Sequence, residues 1–175
     1  MSETPVENER VVSIFIDAPI QQVWDEITKT AGVQRPLYNT VLSGDLTPGS
    51  RLRYASPDHK RVFVVGEVIE VTPPTRFVHT YIMTIDPDPE TTVAWDLAEE
   101  GSGCRVTLTH SGWTDEHRTA EKTVKTWTEI LGLVKSEVES GTIPLKTRLT
   151  YGAMRLFSFA LPKRTSADYA DEQGW

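Results

Sequence analysis

The chain has 175 residues, enough for one domain with a sizeable core, because folding at this size buries roughly 70% of the surface that the unfolded chain exposes. Its net charge of −7, from 25 acidic against 18 basic residues, excludes a general attraction to phosphate backbones, so nucleic acid is not an expected partner. A single cysteine, Cys104, permits no internal disulfide and no cysteine-built zinc cage, and no apolar run reaches the length of a spanning helix. The polar, acidic stretch from Met1 to Arg10 lacks the apolar core of a signal peptide, and a cytoplasmic location is the expectation.

Arg10 to Ile16 reads as a short β-branched strand that runs directly into a helix start. Asp17 is placed to accept backbone N–H groups there, and Pro19 suits a first turn. Ile20, Val23, Trp24 and Ile27 then fall at i, i+3, i+4 and i+7, which makes one helix face apolar. After a less regular stretch rich in glycine and proline, strands are predicted at Arg51 to Ala55, Arg61 to Val71, Arg76 to Met83, Thr92 to Ala98 and Cys104 to Ser111. Pro73-Pro74, Asp86-Pro87-Asp88-Pro89 and Gly101-Ser102-Gly103 break them into an antiparallel meander. A long amphipathic helix is predicted over Asp115 to Ser140, where Val124, Trp127, Leu131, Val134 and Val138 alternate at steps of three and four, Asp115 and Glu116 favour its positive end and Gly141 closes the last turn. The element order specifies an α+β layer arrangement.

Strand alternation sends Val93, Trp95 and Leu97, and Cys104, Val106, Leu108 and His110, to the core face. A long twisted sheet around one helix leaves space at its open end. Trp24, Phe63, Tyr81, Trp95 and Trp127, together with His110, are the expected lining of an apolar ligand pocket, with core filling as the competing role for each aromatic ring. His79 shares parity with Phe77 and Tyr81, yet the opposite face of its strand is equally apolar, so its direction stays open. Glu67 interrupts the set Phe63, Val65, Ile69 and Val71; a bulge at Gly66 that turns it outward is expected, because an unpaired buried carboxylate costs several kcal/mol. No nucleophile elbow, P-loop, dinucleotide fingerprint or zinc-binding helix occurs, and the four histidines have no metal-ligand spacing, so no catalytic residue, metal or cofactor is assigned.

The phrases APIQQVWDEIT, GEVIEVTPPTRFVHTY, TTVAWDLAEEGSGCRVTLTHSGW and WTEILGLVKSEVESG, in that order, resemble the family of activator of 90-kDa heat-shock protein ATPase homologues, a branch of the START-like or SRPBCC superfamily. The resemblance spans about Arg10 to Gly141. It implies the helix-grip fold, a curved antiparallel sheet around a long carboxy-terminal helix with a hydrophobic cavity between them. It implies a small hydrophobic ligand more readily than an activity, since relatives in the superfamily include carriers and polyketide cyclases. Three functions follow: non-catalytic binding or carriage of a hydrophobic, lipid-like or aromatic molecule; a cyclase- or hydrolase-type enzyme using His110, His79 or Glu67; and a chaperone-interaction module that stimulates a heat-shock protein ATPase.

Residues 1–141 are thus assigned to the START-like domain and 142–175 to an extension of the same domain. Within the extension, Leu145, Leu149, Ala153, Leu156, Phe157 and Ala160 mark one side of a helix over about 145–161, and no acidic residue lies between Gly141 and Ala167. That stripe is expected to pack on protein, over its own sheet or in a homodimer, without stable membrane insertion; the tail beyond Pro162 is expected to be mobile.

Overall fold

The computed structural model describes residues 8–86 and 88–175, so residues 1–7 of the acidic amino-terminal stretch and Pro87 of the second proline turn lie outside the described residues. Eight strands form one antiparallel sheet: β1 (Glu9–Ile16), β2 (Val33–Gln34), β3 (Thr40–Ser43), β4 (Arg51–Ala55), β5 (Val62–Thr72), β6 (Arg76–Met83), β7 (Thr91–Glu100) and β8 (Gly103–Ser111). Their order in space is β1-β8-β7-β6-β5-β4-β3-β2, a meander in which only β1 crosses over, to pair with β8 from Glu9 opposite Ser111 to Ile16 opposite Cys104. Helix α1 (Ile20–Ile27) follows β1 and buries Val23, Trp24 and Ile27, the face given by their spacing. Helix α2 (Ala120–Ser140) buries Trp127, Ile130, Leu131 and Val134 against the concave side of the sheet, and Gly141 ends it in the left-handed conformation with φ 67°. This is the expected α+β helix-grip arrangement. The strands β2 and β3 escape the sequence reading because they are two and four residues long within the glycine- and proline-rich stretch.

Three local features differ from expectation. Asp17 caps nothing: α1 begins after an extended Pro19 with no side-chain cap. The Asp17 N–H donates to Glu139 Oε1 (2.7 Å) and its carboxylate accepts from the Ser102 hydroxyl (3.2 Å), tying the helix entry to the end of α2 and to the β7–β8 turn. Helix α2 starts at Ala120 and not at Asp115, so Asp115 and Glu116 precede it; its start is capped from outside by Asp88, which accepts from the backbone N–H groups of Arg118 and Thr119 and from the Thr119 hydroxyl. Val124, counted in the apolar stripe of α2, is 42% exposed, and Thr123 faces inward in its place.

Strand β5 changes face twice. Ala55 pairs with Val62 and Tyr54 with Val64, which leaves Phe63 as an extra residue. Val68 pairs with His79 and Glu70 with Val78, which leaves Ile69 as a second. Phe63, Val64, Val68 and Val71 therefore pack inward, whereas Val65 faces outward with Val62 and Ile69 is 50% exposed. Glu67 is exposed on the outer side, as expected, but Gly66 is not the bulge. Gly66 is a close approach: a Cβ there would lie 2.0 Å from the Thr80 carbonyl oxygen, and the adjacent Glu67 N–H donates to Thr80 Oγ1 at 2.9 Å.

The outward residues Ala55, Val62, Val65 and Ile82 make a second apolar patch, and the carboxy-terminal segment covers it. The segment expected to be a mobile tail instead forms a 3-10 turn (Lys163–Thr165) and helix α4 (Ala167–Glu172), whose Ala170 is fully buried. Ser166 bridges to Arg61, the Ala167 N–H donates to the Lys60 carbonyl (3.0 Å), and Arg53 pairs with Asp171 (2.7 Å) and donates to the Trp175 carbonyl. The helix expected over 145–161 is α3 (Leu145–Leu156), followed by a 3-10 turn (Ser158–Ala160).

Gly66→Ala should destabilise the protein by about 2 to 3 kcal/mol, since the methyl collides with backbone that cannot yield without breaking the β5–β6 register. Urea unfolding measures this, and a loss below about 0.5 kcal/mol would show that the strands part easily at this point.

Candidate functional site

Between the concave sheet, α2 and α3 lies a cavity of about 1600 Å³, larger than the roughly 300–1000 Å³ of most small-molecule pockets. Strands β4 to β8 supply its inner wall through Tyr54, Phe63, His79, Tyr81, Trp95 and His110, and α2 supplies Trp127 and Ile130. The exposed turn Ser56–Lys60 and the residues Tyr151, Met154, Phe157 and Phe159 of α3 and its sequel form the rim. Five of the six expected lining residues, Phe63, Tyr81, Trp95, His110 and Trp127, meet there. Trp24 does not: its ring packs in the core with α1 and the sheet, away from the cavity wall.

The rings are in continuous edge and tilted contact. Trp127 lies 5.7 Å from Trp95 and 6.2 Å from Tyr81, Tyr81 lies 5.0 Å from His110, and His79 lies 5.0 Å from Phe77 and 6.1 Å from Tyr54. The ambiguity over His79 is resolved inward, with Phe77 and Tyr81. The outer face of β6 looked equally apolar because the carboxy-terminal segment buries Ile82 there.

His110 is fully committed to the fold. The Trp127 indole N–H donates to its Nδ1 at 2.9 Å, so the proton sits on Nε2, which donates to Thr91 Oγ1 at 2.7 Å. The Thr91 hydroxyl in turn donates to the Tyr81 carbonyl at 3.2 Å, and the Trp113 indole N–H donates to the His110 carbonyl at 3.0 Å. Burial, with minor contributions from His79 and His117, lowers the His110 pKa to about 3. An imidazole whose lone pair already receives an indole N–H is not free to take a proton from a substrate.

His79 is different. Its Nδ1–H donates to the Thr80 carbonyl at 2.7 Å, which leaves the lone pair on Nε2 without a hydrogen-bond partner among the described residues. Burial lowers its pKa to about 4, against the opposing effect of the Thr80 bond. The hydroxyls of Tyr54 and Tyr81 likewise find no partner among the described residues, and burial raises both pKa values well above the ordinary tyrosine range. The inner wall therefore carries three neutral hydrogen-bonding groups amid aromatic rings, and no ionised one. Tyr54 was absent from the expected lining because the alternation of β4 alone, five residues long, does not fix its face. Glu67 is outside the cavity altogether.

Both histidines make stability depend on pH. Unfolded imidazoles titrate near 6.5, whereas the folded ones stay neutral down to about 4 and about 3. Between those values the unfolded chain binds more protons, so the stability is fully present above about pH 6.5 and is lost as pH falls toward 4. His79 alone corresponds to a loss on the order of 3 kcal/mol across that window. Urea midpoints from pH 7 to about 4 should fall steeply, and His79→Leu should flatten the slope; an unchanged slope in that variant would show that His79 accepts a proton in the folded state.

Comparison with curated protein sequences gives no match. Among solved structures, DynU16 of the dynemicin biosynthetic locus superposes with a TM-score of 0.66 at 21% identity, over 78% of this chain and 49% of DynU16, so this chain spans about half the length of that protein. CalU16 from Micromonospora echinospora gives 0.59 at 19% identity, over 83% of each chain. The Aha1 dimer from Colwellia psychrerythraea gives 0.64 at 17% identity, over 77% of this chain and 98% of that one. Identities this low show a shared fold alone. The sequence profile described as Activator of Hsp90 ATPase homolog 1-like protein matches residues 17–139, well over half of the sequence, and the chain belongs to that family.

Proposed function

We propose that the protein binds a small, uncharged, aromatic molecule in its cavity without transforming it. The observation that carries this reading is the inner wall itself, where Tyr54, His79 and Tyr81 present polar atoms without partners among the described residues, set among the rings of Phe63, Trp95 and Trp127. Buried polar groups normally find partners, so three left open toward a cavity fit a ligand that supplies the missing bonds. His79 Nε2 can only accept, and so suits a phenolic hydroxyl; a tyrosyl hydroxyl can donate to a carbonyl. A hydroxylated aromatic ketone or quinone satisfies both, while its faces stack against the indoles.

The geometry supports binding over acid–base catalysis. His110 has both nitrogens occupied, Glu67 lies on the other side of the sheet, and His79, with a pKa of about 4, is a weak base at neutral pH.

A hydroxyflavone or hydroxynaphthoquinone should raise the melting temperature by mass action, and oleate should raise it less. Tyr54→Phe removes a hydroxyl with no partner among the described residues, so unfolding free energy should stay within about 0.5 kcal/mol while affinity for the phenolic ligand falls about fivefold, or about 1 kcal/mol. Failure of every phenolic aromatic to stabilise the protein, or a Tyr54→Phe variant that binds as tightly as the parent, would refute this ligand chemistry.

A further inference from the structure

Helix α3 turns its apolar stripe away from the protein. Its half-buried residues are Thr147 and Tyr151, joined just past its end by Ser158, and Tyr151 rests near Tyr38 with ring centres 6.1 Å apart. Leu145, Leu149, Ala153 and Leu156 lie at i, i+4, i+8 and i+11 on the opposite side, and Leu145, Leu149 and Leu156 are 66 to 75% exposed. Phe157 and Phe159 continue this surface, equally exposed. The packing of the stripe over its own sheet, one of the two arrangements expected from sequence, is therefore not found, and an apolar surface of this extent calls for a partner.

Charge identifies the kind of partner. Lys146, Arg148, Arg155, Lys163 and Arg164 fall in a segment with no acidic residue from Thr142 to Ala167. None of the five takes part in a salt bridge among the described residues. The chain carries −7, so without these five cations it would carry −12; positive charge is gathered where the apolar residues are exposed. Helical geometry sets Lys146 along one edge of the leucine stripe and Arg148 and Arg155 along the other. A second copy of the chain fits poorly, because a two-fold contact centred on α3 places these cations against their own copies with no acid of the segment to meet them. An anionic lipid surface fits both features: the leucines and phenylalanines enter below the headgroups, while the Lys and Arg stems reach up to the phosphates.

We infer that α3 and the 3-10 turn behind it form a reversible docking surface for an anionic lipid bilayer. Met154, Phe157 and Phe159 also belong to the cavity rim, so docking sets the cavity mouth against the bilayer. This holds whatever the cavity binds, and its test uses no cavity ligand.

Flotation of the full chain with phosphatidylcholine vesicles containing phosphatidylglycerol, against phosphatidylcholine alone, tests it. Binding should require the anionic lipid and be released at about 1 M salt, where screening acts within about 3 Å. Each basic residue near the surface contributes about fivefold to partitioning, so Lys146→Glu/Arg148→Glu/Arg155→Glu should reduce it by about 100-fold or more. Leu149→Glu/Leu156→Glu should abolish flotation. These side chains are exposed, so melting temperatures should match the parent, and Leu149→Ser/Leu156→Ser replaces any variant that unfolds. Absence of flotation, or equal flotation with neutral vesicles, overturns the inference. So does a dimeric mass in solution that Leu149→Glu/Leu156→Glu converts to a monomer, which would make this face a contact between copies.

Discussion

The bond from the Trp127 indole N–H to His110 Nδ1 joins the long helix to the sheet it grips. The apolar packing of Leu131 and Val134 supplies burial energy, but such contacts are non-directional and do not by themselves fix how far α2 lies along the sheet. A buried hydrogen bond is directional, and leaving either partner unmet costs about 1 to 3 kcal/mol. It therefore helps to set the position and the rotation of α2, together with the Asp17–Glu139 bond at the far end of the helix and the Asp88 cap at its start. It also fixes the His110 tautomer, and through it the Thr91 hydroxyl and the start of β7. The floor of the cavity is a by-product of that arrangement: with Trp127 held against His110, its ring stands edge-on to Trp95 and Tyr81, and the wall cannot collapse without breaking the network.

The same network separates two histidines that look equivalent in sequence. Each lies on the apolar face of its strand, and burial keeps each neutral at pH 7. In His110 every polar atom of the ring is spent on the fold. In His79 only Nδ1 is used, on the adjacent carbonyl, and Nε2, near the rings of Tyr54 and Tyr81, has no partner among the described residues. Structural and cavity-facing positions are thus divided between two residues on neighbouring parts of one wall, and this division accounts for an inner tier that is polar yet uncharged.

Much of the fold was legible in the sequence where periodicity is long and one-sided. The inward faces of β7 and β8, the apolar face of α1 and the capping glycine of α2 followed directly from spacing. Legibility fails where two-residue alternation is interrupted. The extra residues at Phe63 and Ile69 shift β5 from one face to the other, so Phe63, Val65, Ile69 and Val71, one set by parity, are divided between two sides of the sheet. It fails again where burial comes from distant chain: Val62, Val65 and Ile82 are covered by Ala170 and Trp175, about a hundred residues away, in a tail whose polar composition gives no sign of it. Trp24 was assigned to the pocket on its size, a property that core and cavity walls share.

The fold places a large aromatic cavity under a helix whose apolar stripe is edged by cations, and the three polar atoms of its inner wall without partners among the described residues bear most directly on function. Native mass spectrometry of the freshly isolated protein tests whether that cavity is a binding site. The expected result is a population heavier than the bare chain by one small molecule, released on unfolding and absorbing in the near ultraviolet as a conjugated aromatic does. A chain that carries nothing, and that gains no mass when equilibrated with phenolic aromatics, would contradict it.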